Sequence, residues 1–422
     1  MKIATVGGAR NIRELSGLFQ KNVEIAFVID NNMHLDGRQI EGKVVYSPYN
    51  FPRNNVDYIV VFLYEYEAVY QELLDLGVDS SRIINFMNLN LDLYEYQNIF
   101  HIDVADTLRL KIRMDFTDKK IKTLEDSQRN FERNYVYEAL DKFRNNDIKI
   151  PKVKSVQDTY SRIISDRCSI SRYGDGEFEI ILGNAKDIYQ SDNTKLAGRL
   201  RDILISNLPN HIVAIADDYG AMEGLREENK NTIRGYMTKE KREKHYALLD
   251  MEKEYYNAYI SRPYVIYPHD DIKAAGKRFD ELKKIWEKQR VLFIEGDRTR
   301  MGVGNDLFSN AGSIERIIAP NEDAFDVYEG IYKAALTYGK DRLILIALGP
   351  TATVLAYDLA KAGYWALDIG HLDLEYEWYL KGRGYSYIPH KYNNEMLGDT
   401  HVTEVTQPNY AASILCSIGK QV

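Results

Sequence analysis

The sequence predicts an α/β protein, with a larger Rossmann-like domain on a parallel sheet, a smaller N-terminal Rossmann-like α/β domain and a helical connector between them. Three observations predict it. Short apolar runs alternate with stretches of helical spacing along most of the chain. Glycine, proline or a carboxylate follows one run after another, at the strand ends that a parallel sheet turns toward its ligand crevice. The length, 422 residues, exceeds one ordinary core.

Residues 2–6 (Lys-Ile-Ala-Thr-Val) read as a buried strand closed by Gly7-Gly8. A mixed helical stretch covers about Ile12 to Gln20, a second strand Val23 to Ile29 ends at Asp30, and a third runs from Val56 to Phe62. Glu65 to Leu76 has helical spacing, and Arg82 to Phe86 reads as an edge element, so residues 1–98 make a small parallel unit. Asp30 lies about twenty residues past the glycine turn, where dinucleotide folds place a ribose-binding acid. The turn Gly7-Gly8-Ala9-Arg10-Asn11 lacks the three-glycine fingerprint, so an accessory domain without cofactor is expected. Docking of partner enzymes is a role open to it.

Residues 99–150 read as the connector. Lys111 to Asn146 is mostly polar, with Leu, Phe, Tyr and Ile at helix-like intervals, and its charges make a wet face. Pro151 opens the main domain, residues 151–393. Val156 to Ile164 and Asp192 to Asn207 are expected helices, and Ile212 to Ala216 is a strand ending in Asp217-Asp218. Tyr246 to Tyr259 reads as a tyrosine-rich helix. Lys273 to Lys288 is a helix feeding the strand Arg290 to Ile294, which closes on Glu295-Gly296-Asp297-Arg298-Thr299-Arg300. Asp341 to Leu348 is a strand closed by Gly349-Pro350-Thr351, followed by a helix from Thr353 to Lys361 and a strand from Trp365 to Ile369. Residues 394–422 read as a tail packing on the body. No internal repeat is present.

Composition removes several classes. A net charge of −8 argues against a general nucleic-acid or anionic-membrane surface, though not against a local cationic pocket. Two cysteines, Cys168 and Cys416, exclude a disulfide scaffold and fit a reducing, cytoplasmic setting. No apolar run approaches the roughly eighteen residues of a membrane span. Thirty-two tyrosines suit carbohydrate contact surfaces.

The richest chemical stretch is Ser171-Arg-Tyr-Gly-Asp-Gly-Glu-Phe-Glu179. Gly174 and Gly176 flank Asp175 and let the backbone approach a ligand. In an extended or turning segment, Asp175 and Glu177 aim the same way and with Arg172 suit a divalent cation carrying a phosphate-rich ligand. The alternative is an acidic surface turn. Further polar groups close other strands: Asp217 and Asp218, Glu295 through Arg300, Gly349 to Thr351, and His371 with Asp373. The Gly349-Pro350-Thr351 turn opens a helix whose N–H groups can receive a phosphate, unless Thr351 serves only as a cap. Arg262, Arg298 and Arg300 can neutralise a diphosphate. Gly302-Val303-Gly304-Asn305-Asp306 lacks the P-loop lysine. Asp373 and Glu375, alternating with Leu372, Leu374 and Tyr376, read as one edge of a strand-like segment, able to hold an acceptor or act as base. No His-Glu-x-x-His pair exists for zinc, which leaves a labile, oxygen-ligated Mn²⁺ or Mg²⁺ open. No Gly-x-Ser-x-Gly nucleophile motif occurs.

Arg172-Tyr-Gly-Asp-Gly-Glu177, Phe293-Ile-Glu-Gly296 with Gly302-Val-Gly-Asn-Asp306, Leu348-Gly-Pro-Thr-Ala-Thr353 and Asp368-Ile-Gly-His-Leu-Asp-Leu-Glu-Tyr-Glu-Trp378 together resemble bacterial glycosyltransferases of the GT-D fold class. The resemblance covers about residues 152–393. It implies a nucleotide-sugar donor, a metal ion at Asp175 and Glu177, and transfer of a hexose from a UDP-sugar to a surface glycan or glycoprotein sugar chain, with other glycosyltransferases of the pathway as partners. Arg172, Gly174, Gly176, Asp217, Asp218, Arg262, Arg300, Asn305, Gly349, Thr351 and His371 become candidates for the donor site. Glu177, Asp175, Glu295 and Asp373 become candidates for chemistry, with Glu177 preferred as base. The segment Ala216-Asp217-Asp218 departs from the family's more apolar form. A non-catalytic nucleotide- or glycan-binding protein is the rival reading. An NAD-dependent oxidoreductase or epimerase is the other.

Overall fold

The computed structural model describes all residues except 8–14, 16, 33–34, 64–65, 89, 140–148, 186–189, 339–340, 394–401, 403–407 and 420–422. Residues 8–11 of the glycine turn and 12–14 and 16 of the helix expected from Ile12 therefore lie outside the described residues, as do the end of the connector and the polar part of the tail. Residues 17–20 of that expected helix instead form a turn and a bridge, Phe19 pairing with Phe100. The chain divides into two compact units, Met1–Asp126 and Ser127–Val422.

The first unit carries a six-stranded sheet of β1 (Lys2–Val6), β2 (Glu24–Ile29), β3 (Gln39–Ile40), β4 (Lys43–Tyr46), β5 (Tyr58–Val61) and β6 (Ile83–Asn85), ordered β3-β4-β2-β1-β5-β6. Its pairs are parallel except β3 with β4. Helix α1 (Tyr66–Asp75) crosses between β5 and β6. Gly7, at φ +77°, closes β1 where an added Cβ would sit 2.9 Å from Leu63. The Asp30 carboxylate accepts the Asn32 N–H (2.9 Å), shaping its own turn. Helix α2 (Ile102–Glu138) begins in this unit and ends in the second.

The second unit is built on a nine-stranded sheet: β7 (Lys152–Val153), β8 (Ser169–Tyr173), β9 (His211–Ile215), β10 (Glu254–Asn257), β11 (Arg290–Gly296), β12 (Ser313–Ala319), β13 (Leu343–Ala347), β14 (Trp365–Asp368) and β15 (Ile414–Ser417). The order is β15-β12-β11-β13-β14-β8-β9-β10-β7, and every pair is parallel. Helices follow the strands: α3 (Val156–Asp166), α4 (Asp175–Ile181), α5 (Thr194–Leu204), α6 (Glu227–Tyr236), α7 (Lys239–Tyr246), α8 (Ile272–Trp286), α9 (Tyr328–Thr337), α10 (Pro350–Lys361), α11 (Leu372–Lys381) and α12 (Pro408–Ala412). Both faces are covered. Val291 and Phe293 of β11 join one apolar layer with Trp286 and Trp378, whereas Leu292 and Ile294 join the other with Leu355 and Leu359. That two-sided burial explains the continuous apolar runs of the central strands.

Three expectations are corrected. Residues 246–259 are not one helix: α7 stops at Tyr246 and β10 pairs with β9 and β7. Its buried Tyr255 and Asn257 alternate with Glu254 and Tyr256, a period of two that tyrosine content obscured. Asp373 and Glu375 lie on a helix, not a strand-like edge. Asp175 and Glu177 also lie on a helix. At a helical rotation of about 100° per residue, neither pair shares one direction.

Candidate active site

Parallel strands place their carboxyl ends along one edge, and β8 and β9 leave it side by side, Tyr173 opposite Ile215. Gly174-Asp175 follows the first and Ala216-Asp217-Asp218 the second. Asp175 is exposed, at the first turn of α4. Asp218 is half-buried and accepts a hydrogen bond from the Tyr259 hydroxyl. Burial pushes its carboxyl up to about 7 against that bond, and the neighbouring charges of Asp217 and Asp175 add to the rise. The charges of Asp175 and Asp217 therefore reach Asp218 at the ends of these two strands.

Glu177 turns back. Its Oε2 accepts the Gly174 N–H at 2.8 Å, capping α4, and burial raises its carboxyl to about 7. The next residue, Phe178, stacks on His245 at 4.0 Å between ring centroids. His245 lies between the Tyr219 hydroxyl at Nδ1 (2.9 Å) and the Tyr236 hydroxyl at Nε2 (3.3 Å). Tyr236 donates to Glu179 (2.8 Å), which also pairs with Lys241 (2.5 Å). Burial lowers His245 to about 4, so it stays neutral.

Arg172 is a strut. Its guanidinium donates to Asp368 Oδ1 (2.7 Å), to the Asp368 carbonyl (2.7 Å) and to Ser261 Oγ (2.6 Å), joining the ends of β8 and β14 to the turn after β10. Gly370, at φ +49°, lets the chain pass that guanidinium, which an added Cβ would strike. Gly176 is half-buried within α4.

Glu295 and Asp373 sit elsewhere. Glu295, fully buried, pairs with Arg316 and accepts the Met301 N–H (2.6 Å). Asp373 pairs with buried Lys391 and accepts from the Gly302 N–H (3.1 Å) and from Asn305 Nδ2 (2.9 Å); Asn305 also donates to Glu377 (2.8 Å). Together they pin the loop 300–305. Glu375, one turn-face away, accepts the Tyr264 and Val265 N–H groups (3.0 and 2.8 Å) and lies 3.4 Å from Arg262 Nη1. Arg300, at φ +52° and buried, donates to the His390 carbonyl (3.3 Å). Arg298 lies over the Tyr392 ring at 4.6 Å.

At the start of α10, Gly349 adopts φ +53°, ψ −143°. Thr351 is buried, and its hydroxyl lies 3.5 Å from Gln190 Oε1. His371 is the half-buried residue preceding α11. Of the residues singled out in the sequence, Asp175 and Asp217 act electrostatically on Asp218, Asp373 bonds Asn305, and Arg262 pairs with Glu375. Sequence reasoning missed Asp368, Tyr259, Tyr236, His245, Lys391 and Arg316. Only Asp368 had a signal, as a carboxylate ending an apolar run.

Among the described residues, no group of three His, Cys, Asp or Glu side chains is close enough to hold a metal ion. No helix among them is long and apolar enough to cross a membrane.

The parallel sheet, covered by helices on both faces and carrying carboxylates at its strand ends, defines a Rossmann-like α/β protein. The glycosyltransferase GT-D fold family model matches residues 170–396, over half the chain, and the chain belongs to that family. A second model, described as C2185-like, N-terminal, matches residues 1–84. A probable glycosyl transferase Gly of Streptococcus gordonii is 33% identical over 271 residues, and the glycosyltransferase GlyD of Streptococcus pneumoniae 34% over 277. Each match covers 64% of this chain, which spans only 39% and 33% of those two proteins. Among solved structures, a new glycosyltransferase (DUF1792) from Streptococcus sanguinis superposes with a TM-score of 0.60 at 33% identity, covering 64% of this chain and all of that one. Another, described as the highly conserved domain of unknown function 1792 with a distinct glycosyltransferase fold, gives 0.58 at 33%, covering 64% and 96%.

Proposed function

We propose that this protein transfers a hexose from a UDP-sugar to a glycan or glycosylated protein acceptor, with a Mn²⁺ or Mg²⁺ ion. The observation that carries the reading is that Asp175, Asp217 and Asp218 follow two adjacent parallel strands, in a chain of the GT-D family. Carboxylate oxygens are the hard donors such a cation takes. Burial is the main cause of the rise at Asp218; the lesser part, repulsion from Asp217 and Asp175, is what a cation would relieve. Bound there, the ion supplies electrostatic stabilisation of the departing UDP.

The chain's own residues do the rest. Asp175 and Asp217 would hold such a cation, and Tyr259 fixes Asp218 by its hydrogen bond. Glu177, positioned by the Gly174 N–H and titrating near 7, takes the acceptor hydroxyl's proton. The α10 N-terminus receives a phosphate or ribose oxygen. Arg300 neutralises charge on the leaving group. Glu295 and Asp373 keep the 300–305 loop in place rather than touching substrate.

A panel of nucleotide-sugars with and without Mn²⁺ tests this: metal-dependent transfer or hydrolysis of a UDP-sugar is expected. Asp175→Asn should abolish metal-dependent UDP binding in calorimetry. Glu177→Gln keeps the cap acceptor, so UDP binding should survive while turnover falls about 10²–10⁴-fold. Near-wild-type turnover in Glu177→Gln removes that residue as base. UDP binding with no turnover of any donor favours the non-catalytic binding protein.

A further inference from the structure

The long helix α2 carries an apolar stripe with no use in the site. Ala105, Arg109 and Ile112 pack toward the core of the first unit, Arg109 lying over the Phe86 ring at 5.4 Å. About a third of a turn round, Leu110, Met114, Ile121 and Leu124 stand 62, 67, 50 and 61% exposed. With Thr117 between them, their spacing is four, three, four, three, the heptad seam of a coiled coil rather than the wider stripe of a helix on a globular core. Placing Met114 and Ile121 at a and Leu110, Thr117 and Leu124 at d puts Asp106, Arg113 and Lys120 at g. Lys111, Asp118 and Glu125 then fall at e.

Those flanks select the occupant. In a parallel, in-register pair each g residue faces the e residue five positions on in the other copy. The three pairs are Asp106 with Lys111, Arg113 with Asp118 and Lys120 with Glu125, all opposite in sign. An antiparallel pair centred on Thr117 brings g to g and e to e, setting Arg113 against Lys120 and Asp118 against its own copy, both like-charged, and leaves only Lys111 with Glu125 opposite in sign.

We propose that residues 106–125 of α2 form a parallel, in-register two-stranded coiled coil with a second copy of this chain. The seam is bracketed by self-complementary charges, so the partner needs no other protein.

Sedimentation equilibrium of the full chain tests it, with a mass twice the 48.8 kDa of one chain as the expected result. Ile121→Asp with Leu124→Asp changes only exposed side chains, so circular dichroism and melting should show a folded protein while the mass halves. Arg113→Glu should weaken the dimer, and adding Asp118→Arg should restore it, a rescue that a merely structural role of Arg113 does not give. Leu110→Cys should form a disulfide-linked dimer on mild oxidation, beyond any dimer the wild-type cysteines form. A monomer at all concentrations overturns the proposal. So does a dimer untouched by the Ile121/Leu124 pair, a failure of the charge-swap rescue, or cross-linking of Leu110→Cys only to a cysteine placed at Leu124. Glycosyl-transfer assays do not enter these readouts, so the outcome is independent of the catalytic reading.

Discussion

At Glu177 two demands meet in one side chain. Its carboxylate caps α4 through the Gly174 N–H, and burial raises it from the ordinary 4.5 to about 7. A base must be ionised to act, so kcat/KM for transfer should fall as pH drops below about 7, with one limb belonging to this group. Residual activity in Glu177→Gln should lack that limb, and Asp218→Asn should retain it. The same raised value has a stability sign. The native state holds a proton that the unfolded chain releases above 4.5, so this group's contribution declines as pH rises from about 4.5 to 7. Replacement by Gln should flatten that decline in a denaturation series.

Elements rather than single residues account for Glu295 and Arg316, which lock β11, β12 and the loop after β11 together. Arg316 also donates to the Met301 carbonyl (2.8 Å) and to Ser413 Oγ (3.0 Å) before β15. Arg316→Met strands a buried carboxylate and should cost about 3–5 kcal/mol in chemical denaturation, whereas the double replacement Glu295→Leu/Arg316→Met should cost much less. Gly370→Ala meets both a positive φ and the Arg172 guanidinium. It should lose about 1–3 kcal/mol and disturb the β8–β14 strut, seen as weaker donor binding. The strands β11, β13 and β14 were legible because burial on both faces writes uninterrupted apolar runs. Strand β10 was not, since four tyrosines between 246 and 259 fit either period. The carboxylate pairs at 175/177 and 373/375 were misaimed for a related reason: spacing of two means one face on a strand and opposite faces on a helix.

Across the larger unit, two buried histidines set the acid limit. His211 donates from Nε2 to Ser171 Oγ (2.7 Å) and is held down to about 3 by burial; His245 is held to about 4. An unfolded chain binds protons at both near 6.5 while the folded one refuses them. Stability should therefore fall as pH drops from about 6.5 toward 4, and a His245→Gln variant should show a shallower fall in melting temperature over that window. Sequence alone determined the α/β class, the order of most elements of the catalytic domain, and the strand ends at which polar groups gather, because these follow from periodicity and from where glycines and carboxylates punctuate apolar runs. Tertiary structure decided which of those groups meet. Arg172, Glu295 and Asp373 found partners far along the chain and became struts, while Asp218, held by Tyr259, came within electrostatic reach of Asp175 and Asp217. Partner choice depends on the order of strands in the sheet, and that order is a long-range property no local pattern carries.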